Sequence, residues 1–178
     1  MSLVEIARYL RMGREVPGGA LAERVTQLSG EVLAAMCPQR VWLRLPMPFH
    51  PESRKLAEHL AGCVAVYLIC GTLGPGVDAL QRRVAVNSGA DAFIVQAIGA
   101  AAIEKWMDEV EDEIRHELNP GEVLLRRYSP GYGDFPLAVQ REMLEMLDAS
   151  RKVGVALTDT LLMVPSKSVS AVIGVSIE

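Results

Sequence analysis

Hydrophobic residues recur along the chain at spacings that predict both helices and strands. Residues 20–36 place apolar side chains three or four positions apart, from Leu21 to Met36, which is typical of an amphipathic helix. Residues 41–45 alternate apolar and polar positions and predict a half-buried strand. Residues 63–70 are continuously apolar and rich in branched side chains, so they predict a strand buried on both faces.

The longest predicted helix covers residues 90 to about 117. Its first half is rich in small residues, from Ala97 through Ala102, which allow a neighbouring element to approach closely. Its second half is acidic between Asp108 and Glu113 and is expected to be a solvated face, with docking of a partner as the alternative. Asn119-Pro120-Gly121 is expected to end this helix.

The last third of the chain repeats the alternation of strand and helix. We expect a strand at 123–128, a helix over roughly 136–150 and a strand at 160–164. Residues 168–177 alternate apolar and small polar positions, which predicts a long strand with one buried face. The short turn between the last two strands favours an antiparallel hairpin.

These patterns predict an α+β fold, in which helices pack on a mainly antiparallel twisted sheet. Residues 1–178 are expected to form a single domain, with a helical and strand-containing part at 1–88. The part at 89–178 carries the motifs of a ligand site.

Composition and charge narrow the possible classes of protein. Half of the residues are hydrophobic and only 5% are aromatic, so aliphatic side chains must build the core and disorder is excluded. The net charge of -4 argues against a general nucleic-acid binder. No apolar stretch is long enough for a membrane span and no signal peptide opens the chain, so we expect a cytoplasmic protein.

Cysteines and histidines give no sign of a disulfide framework or a metal site. Cys37, Cys63 and Cys70 are odd in number, lack C-x-x-C spacing and lie in apolar surroundings, so they are expected to be reduced core residues. His50, His59 and His116 are scattered without metal-ligand spacing and are expected at the surface or at helix caps.

The run Arg127-Tyr128-Ser129-Pro130-Gly131-Tyr132 lies between a predicted strand and a predicted helix. Proline fixes one φ angle and the adjacent glycine permits a sharp turn, so the loop can bring backbone close to a ligand. An arginine binds a carboxylate through two parallel hydrogen bonds, and a tyrosine offers a stacking face. The residues alone leave two readings open: a small-ligand site with an anion clamp, or an arginine paired with a surface acid beside a tyrosine that covers the core.

Glu104 is the second candidate, because it lies where the small-residue half of the long helix meets the acidic half. A carboxylate held there could meet a cationic ligand. It could equally be the first residue of a solvated acidic run.

These runs together resemble the activation domain of cobalamin-dependent methionine synthase. The similarity extends from about Asp91 to Ser176 and includes four segments in matching order: Ala100–Glu104, Arg127–Tyr132, Leu157–Thr160 and Ser168–Ser170. The N-terminal half looks like the small stand-alone proteins of the same family. The chain stops at Glu178, whereas the large synthases continue, so we expect a pocket that is incomplete, more open or adapted to another ligand.

The resemblance implies a protein that binds S-adenosylmethionine and helps to remethylate an oxidised corrinoid, as a component of a methyltransferase. Protein side chains would orient the methyl donor rather than catalyse by acid-base chemistry. The ligand would contact residues of the long helix and of the loop: Glu104, Arg127, Ser129, Pro130, Gly131 and Tyr132. A module that docks to a corrinoid protein but has lost turnover is the alternative.

The chain contains no Asp-x-His-x-x-Gly run of the kind that binds cobalamin. The resemblance therefore implies that the cobalamin is carried by a partner, either a corrinoid protein or a methionine synthase without its own activation domain. An electron donor such as a flavodoxin would be needed as well. Nucleic acid and membrane are not expected among the partners.

Overall fold

A computed structural model describes residues 2–12, 15–49 and 52–177. Within those residues the chain forms seven helices and six strands. In chain order they are α1 Leu3–Tyr9, α2 Gly19–Ala35, β1 Gln39–Pro46, α3 Arg54–His59, β2 Ala65–Thr72, α4 Gly76–Ala85, α5 Gly89–Arg115, β3 Glu122–Leu124, α6 Val139–Met146, α7 Ala149–Val153, β4 Ala156–Leu157, β5 Met163–Val164 and β6 Ser168–Ile177.

The main sheet has four strands in the order β1-β2-β6-β3, and every neighbouring pair is antiparallel. The two central strands are aligned so that Leu68 of β2 lies opposite Val172 of β6. The predicted α+β fold with a mainly antiparallel sheet is confirmed.

Both faces of this sheet are buried. Alternate residues of β2, such as Tyr67 and Ile69, contact a core built with α1, α2, α4 and α5. The intervening residues, such as Leu68 and Cys70, contact a second core built with α3, α6 and α7. Because successive side chains of a strand point to opposite faces, a strand between two helical layers must be apolar throughout. This explains the uninterrupted apolar run of β2.

Helix α5, with 27 residues, is the longest element, as predicted. Its small residues lie against the first core, where Ala97, Gly99, Ala101 and Ala102 are buried. A side chain at Gly99 would collide with Lys167, since its Cβ would lie 2.7 Å from that lysine's Cε. The predicted close packing of this half is therefore present.

The C-terminal strands differ from the predicted hairpin. Strand β5 pairs with the two-residue strand β4, whereas β6 lies between β2 and β3. The prediction that β5 and β6 pair is wrong, because both edges of β6 are already occupied by other strands. The prediction of one buried face for β6 is also wrong, since Ser168 and Ser170 on its other face are buried too.

The predicted helix at 136–150 is divided into α6 and α7. Asp148, between them, has a φ of 52°, a left-handed conformation that a continuous α-helix cannot contain. The predicted strand 123–128 is shorter than expected, because ladder pairing ends at Leu124.

Two of the three cysteines are core residues, as expected. Cys63 and Cys70 are buried, and burial raises the pKa of the Cys70 thiol to about 12, so it stays protonated. Cys37 is exposed, contrary to expectation, because the chain leaves α2 at the surface before entering β1. His116 caps the C-terminal end of α5 at the surface, and His50 lies outside the described residues.

Within the described ranges, no cluster of three or more His, Cys, Asp or Glu side chains is arranged to hold a metal ion. None of the helices in those ranges combines the length and apolarity that a membrane span requires.

The contact between α2 and α4 predicts opposite effects for two glycine substitutions. A Cβ on Gly76 would lie 2.1 Å from the backbone carbonyl oxygen of Ala35, which cannot move aside alone. Gly76→Ala should therefore lower the free energy of unfolding by roughly 1–3 kcal/mol. Gly30→Ala, in α2 with nothing within 4 Å of the new methyl, should raise it by about 0.4–1 kcal/mol. Urea unfolding measures both, and equal stability of the two variants would contradict the contact.

An ion pair between the two edge strands predicts a pH dependence of stability. Arg44 of β1 crosses the ring of Tyr67 and donates to both oxygens of Glu122 in β3, at 3.0 and 2.5 Å. These bonds, and the Asn119 N–H, lower the pKa of Glu122 from 4.5 to about 2. The stabilisation is therefore complete above pH 4.5 and is lost as pH falls towards about 2.

Glu122→Gln should lower stability at neutral pH and flatten the loss of stability between pH 4.5 and about 2. Unfolding of this variant and of Glu23→Gln, an exposed residue of α2, should be followed across that range. The Glu23 variant should keep the wild-type pH profile. An unaltered profile in the Glu122 variant would contradict the role of this pair.

Candidate functional site

A bulge after β3 positions Arg127. The Leu125 N–H donates to the Gly174 carbonyl at 2.9 Å, and Tyr128 and Val172 exchange two backbone hydrogen bonds of 2.8 and 2.9 Å. Between these two points Arg126 and Arg127 lie opposite the single residue Ile173 of β6, so one residue is extra, as in a β-bulge. The extra residue releases Arg127 from the ladder, and its side chain reaches α5.

Three carboxylates of α5 surround the Arg127 guanidinium. Residues Glu104, Asp108 and Glu111 are four and three positions apart, so they lie on one face of the helix. Arg127 Nη2 donates to Glu104 Oε2 at 2.6 Å. Arg127 Nη1 donates to Asp108 Oδ1 at 2.7 Å and to Glu111 Oε1. The structure thus brings together the two residues that the sequence had singled out.

The acidic half of α5 is less solvated than the sequence suggested. The Glu111 side chain is only 9% exposed, and it also pairs with Arg115. Glu113 pairs with Arg40 of β1. The expectation of a solvated acidic face is wrong for Glu111, which Arg127 and Arg115 cover, whereas Asp108 and Asp112 are 68% and 69% exposed, as expected.

Two opposing effects act on the pKa of Arg127. Burial lowers it, but the hydrogen bonds that Arg127 donates to Asp108, Glu111 and Glu104 outweigh burial and raise the pKa above that of a free arginine. Arg127 is therefore a permanent cation at the centre of an acidic surface.

The loop after Arg127 is fixed at its far end. Asp134 accepts hydrogen bonds from the Ser53 hydroxyl at 2.5 Å and from the Arg54 N–H at 3.0 Å, at the start of α3. Phe135 is buried in the second core. Gly131 has a φ of 86°, which strongly favours glycine.

This anchoring leaves Tyr132 in solvent. Its side chain is not a cover for the core, since the residue is 72% exposed, and Phe135 takes that place instead. The Tyr132 ring meets Tyr128 edge to face, with centroids 5.8 Å apart. The loop therefore presents an aromatic face beside the arginine.

A cleft of about 720 Å³ lies between α5 and this loop. Four of the six predicted ligand residues line it: Glu104, Arg127, Ser129 and Tyr132. Pro130 is buried within the loop, and Gly131 lies at its exposed turn; these two do not line the cleft. Sites for small ligands typically measure roughly 300–1,000 Å³, so the cleft can hold one.

Six further residues line the cleft that the sequence analysis did not select: His59, Asp108, Glu111, Arg126, Tyr128 and Val169. The helical spacing from Glu104 could have indicated Asp108 and Glu111. No sequence signal pointed to His59, which α3 brings to the cleft and whose Nε2 lies 2.9 Å from the Arg126 carbonyl oxygen.

A second cavity, of about 390 Å³, lies between α6, α7 and β4. It contains none of the predicted site residues. We assign the candidate site to the larger cleft, because charged side chains from two separate elements converge there.

The chain was compared with protein families, with curated proteins and with solved structures. Residues 92–177 match the family model described as vitamin B12 dependent methionine synthase, activation domain. No curated protein matches the chain.

Among solved structures, the fold is similar to that of the MetH reactivation domain bound to AdoHcy. The TM-score is 0.68 at 15% sequence identity, and the alignment covers 97% of this chain and 74% of that chain. At this identity the likeness establishes the fold. The segment that matches the activation-domain model of vitamin B12 dependent methionine synthase contains α5 from Ala92 onward, the Arg127 bulge, the loop and β6.

Proposed function

We propose that this protein binds S-adenosylmethionine in the cleft beside Arg127 and presents its methyl group to the cobalamin of a separate corrinoid protein. The proposal rests mainly on the convergence of four side chains on one cleft: Glu104, Arg127, Ser129 and Tyr132. The match of residues 92–177 to the activation-domain family model supports the proposal. So does the AdoHcy bound by the similar MetH domain, since this molecule is S-adenosylmethionine without its methyl group.

The charge of the cleft fits this ligand. The cleft is lined by three carboxylates and two arginines, so its side chains carry a net charge of -1 when His59 is neutral. S-adenosylmethionine carries one carboxylate, one ammonium and one sulfonium, an excess of one positive charge. Opposite net charges attract the ligand and orient it on approach.

Arg127 and Glu104 would hold opposite ends of the ligand's charge distribution. The planar guanidinium of Arg127 can bind the methionyl carboxylate through two parallel hydrogen bonds. Glu104, now 2.6 Å from Arg127, would then be free to meet the ammonium, the sulfonium or a ribose hydroxyl. Binding would thus exchange one ion pair within the protein for two between protein and ligand.

The loop would form the other wall of the site. Tyr132 and Tyr128 offer aromatic faces against which an adenine ring can pack. Ser129 continues the same wall, and Asp134 and Phe135 hold the loop in place. A pre-formed wall reduces the conformational entropy that binding must remove.

The chemistry requires orientation rather than acid-base groups. A corrinoid bound to the partner would supply the nucleophile that accepts the methyl group. As the new bond forms, the methyl–sulfur bond would break and leave its electron pair on sulfur, giving the neutral thioether of S-adenosylhomocysteine. The contribution of this chain is to aim the sulfonium methyl out of the cleft, which is catalysis by proximity.

A partner protein and a reductant complete the proposed reaction. The partner would be a corrinoid protein or a methionine synthase without its own activation domain. An electron donor such as a flavodoxin would keep the corrinoid reduced.

Replacing Arg127 tests the site directly. Arg127→Ala should weaken S-adenosylmethionine binding by roughly 1.5–3 kcal/mol, about ten- to 150-fold, because a charged hydrogen-bonded contact is lost. Isothermal titration measures the affinity. Arg24→Ala, which removes another ion-paired arginine at the α2–α5 contact, should bind like the wild type. Equal affinity of the Arg127 and Arg24 variants would remove Arg127 from the site.

Methyl transfer should depend on this protein. Label from the methyl group of S-adenosylmethionine should appear on a corrinoid partner when partner, reductant and this chain are all present. Arg127→Ala should reduce the rate at sub-saturating ligand. Binding of the ligand without any transfer of label would favour the alternative, a docking module of the same fold that has lost turnover.

A further inference from the structure

The nitrogens of the Arg127 guanidinium differ in how many hydrogen bonds they donate. Its Nη1 donates to Asp108 and Glu111, and its Nη2 donates to Glu104. Its Nε donates to no side chain or backbone group among the described residues. The edge formed by Nε and Nη2 is therefore held by a single carboxylate.

That edge is the one that a carboxylate binds with both oxygens. Arg24 shows the arrangement in the same structure, where Nε and Nη2 donate to the two oxygens of Asp91 at 2.9 and 2.5 Å. A ligand carboxylate that binds Arg127 in this way would displace Glu104 alone. The bonds from Nη1 would remain.

The three acidic partners differ in how easily they can leave. The side chains of Glu104 and Asp108 are 47% and 68% exposed, so water can replace Arg127 as their partner. The Glu111 side chain is 9% exposed and would be left buried without its arginine, at considerable cost. Arg115, which also donates to Glu111, holds that carboxylate from the other side at 3.2 Å.

We infer that Glu111, assisted by Asp108, is a positioning residue that grips Nη1 of Arg127 and reserves the Nε–Nη2 edge for the carboxylate of the ligand. Glu104 is the partner that the ligand displaces. The inference rests on the proposed function, and it adds a residue that acts through Arg127 rather than by touching the ligand.

The test compares S-adenosylmethionine with its decarboxylated form, which keeps the sulfonium, the amine and the nucleoside. The dissociation constant of the decarboxylated form, divided by that of S-adenosylmethionine, measures recognition of the carboxylate. Isothermal titration should be performed on the wild type, on Glu111→Gln and on Glu109→Gln. Glu109 lies on the same helix, exposed and paired with Lys105, and is the matched control.

Glu111→Gln should reduce this ratio by about ten-fold, because one charged hydrogen bond no longer orients the arginine. The affinity for the decarboxylated ligand and the Glu109→Gln ratio should stay close to wild type. In an Arg127→Ala background, Glu111→Gln should change the ratio no further.

Other results overturn the inference. An unchanged ratio would mean that Glu111 does not position Arg127, and an equal loss for both ligands would mean a merely structural role. Thermal unfolding shows whether Glu111→Gln folds. If it does not, Asp108→Asn, at an exposed position, should reduce the ratio by a smaller factor. An unchanged ratio in the Asp108 variant would also overturn the inference. A wild type that binds neither ligand would refute the proposed function itself.

Discussion

Helix α5 lies so close to the central sheet that Gly71 of β2 admits no larger residue unless a side chain of α5 moves. A Cβ on Gly71 of β2 would lie 2.4 Å from the sulfur of Met107 on α5. The small residues around Gly99 give the same close approach to Lys167. Interiors packed at this density transmit small displacements instead of absorbing them. The height and rotation of α5 are therefore fixed, and so are the carboxylates that it carries to the cleft.

The opposite wall of the cleft depends on a different device. The bulge between Leu125 and Tyr128 breaks the ladder to β6 and frees Arg127, while pairing resumes at Tyr128. Asp134 and Phe135 then hold the end of the loop through α3 and the second core. The loop is thus fixed at both ends, and only the segment around Tyr132 projects into solvent.

The electrostatics of the site follow from placing a permanent cation against three acids. A lone buried arginine would be costly, and a buried Glu111 without a partner would be as well. The charges of Arg127 and Glu111 compensate each other, so the arginine is held in place before a ligand arrives. A pre-oriented guanidinium loses less entropy on binding, whereas the exchange of Glu104 for a ligand carboxylate costs one internal ion pair. Affinity would reflect the difference between these two effects.

The sequence by itself determined which segments are buried and which residues could bind a ligand. Hydrophobic periodicity records burial locally, so the continuously apolar β2 and the small-residue half of α5 could be predicted. The burial of Glu111 in the acidic half could not. The loop chemistry of Pro130 and Gly131 likewise acts within a few residues. Family resemblance added Glu104 and Arg127 as a pair.

Only the tertiary structure decided the partners of these elements. Periodicity contains no information on which strand occupies an edge, so β5 was wrongly expected beside β6, where β2 and β3 already lie. Nor does a run of acids show which distant cation will cover it. Glu111 meets Arg127, 16 residues away, and His59 meets the carbonyl of Arg126, 67 residues away. Such contacts depend on how close α5, α3 and the bulged strand approach one another, and packing of the two cores sets that distance.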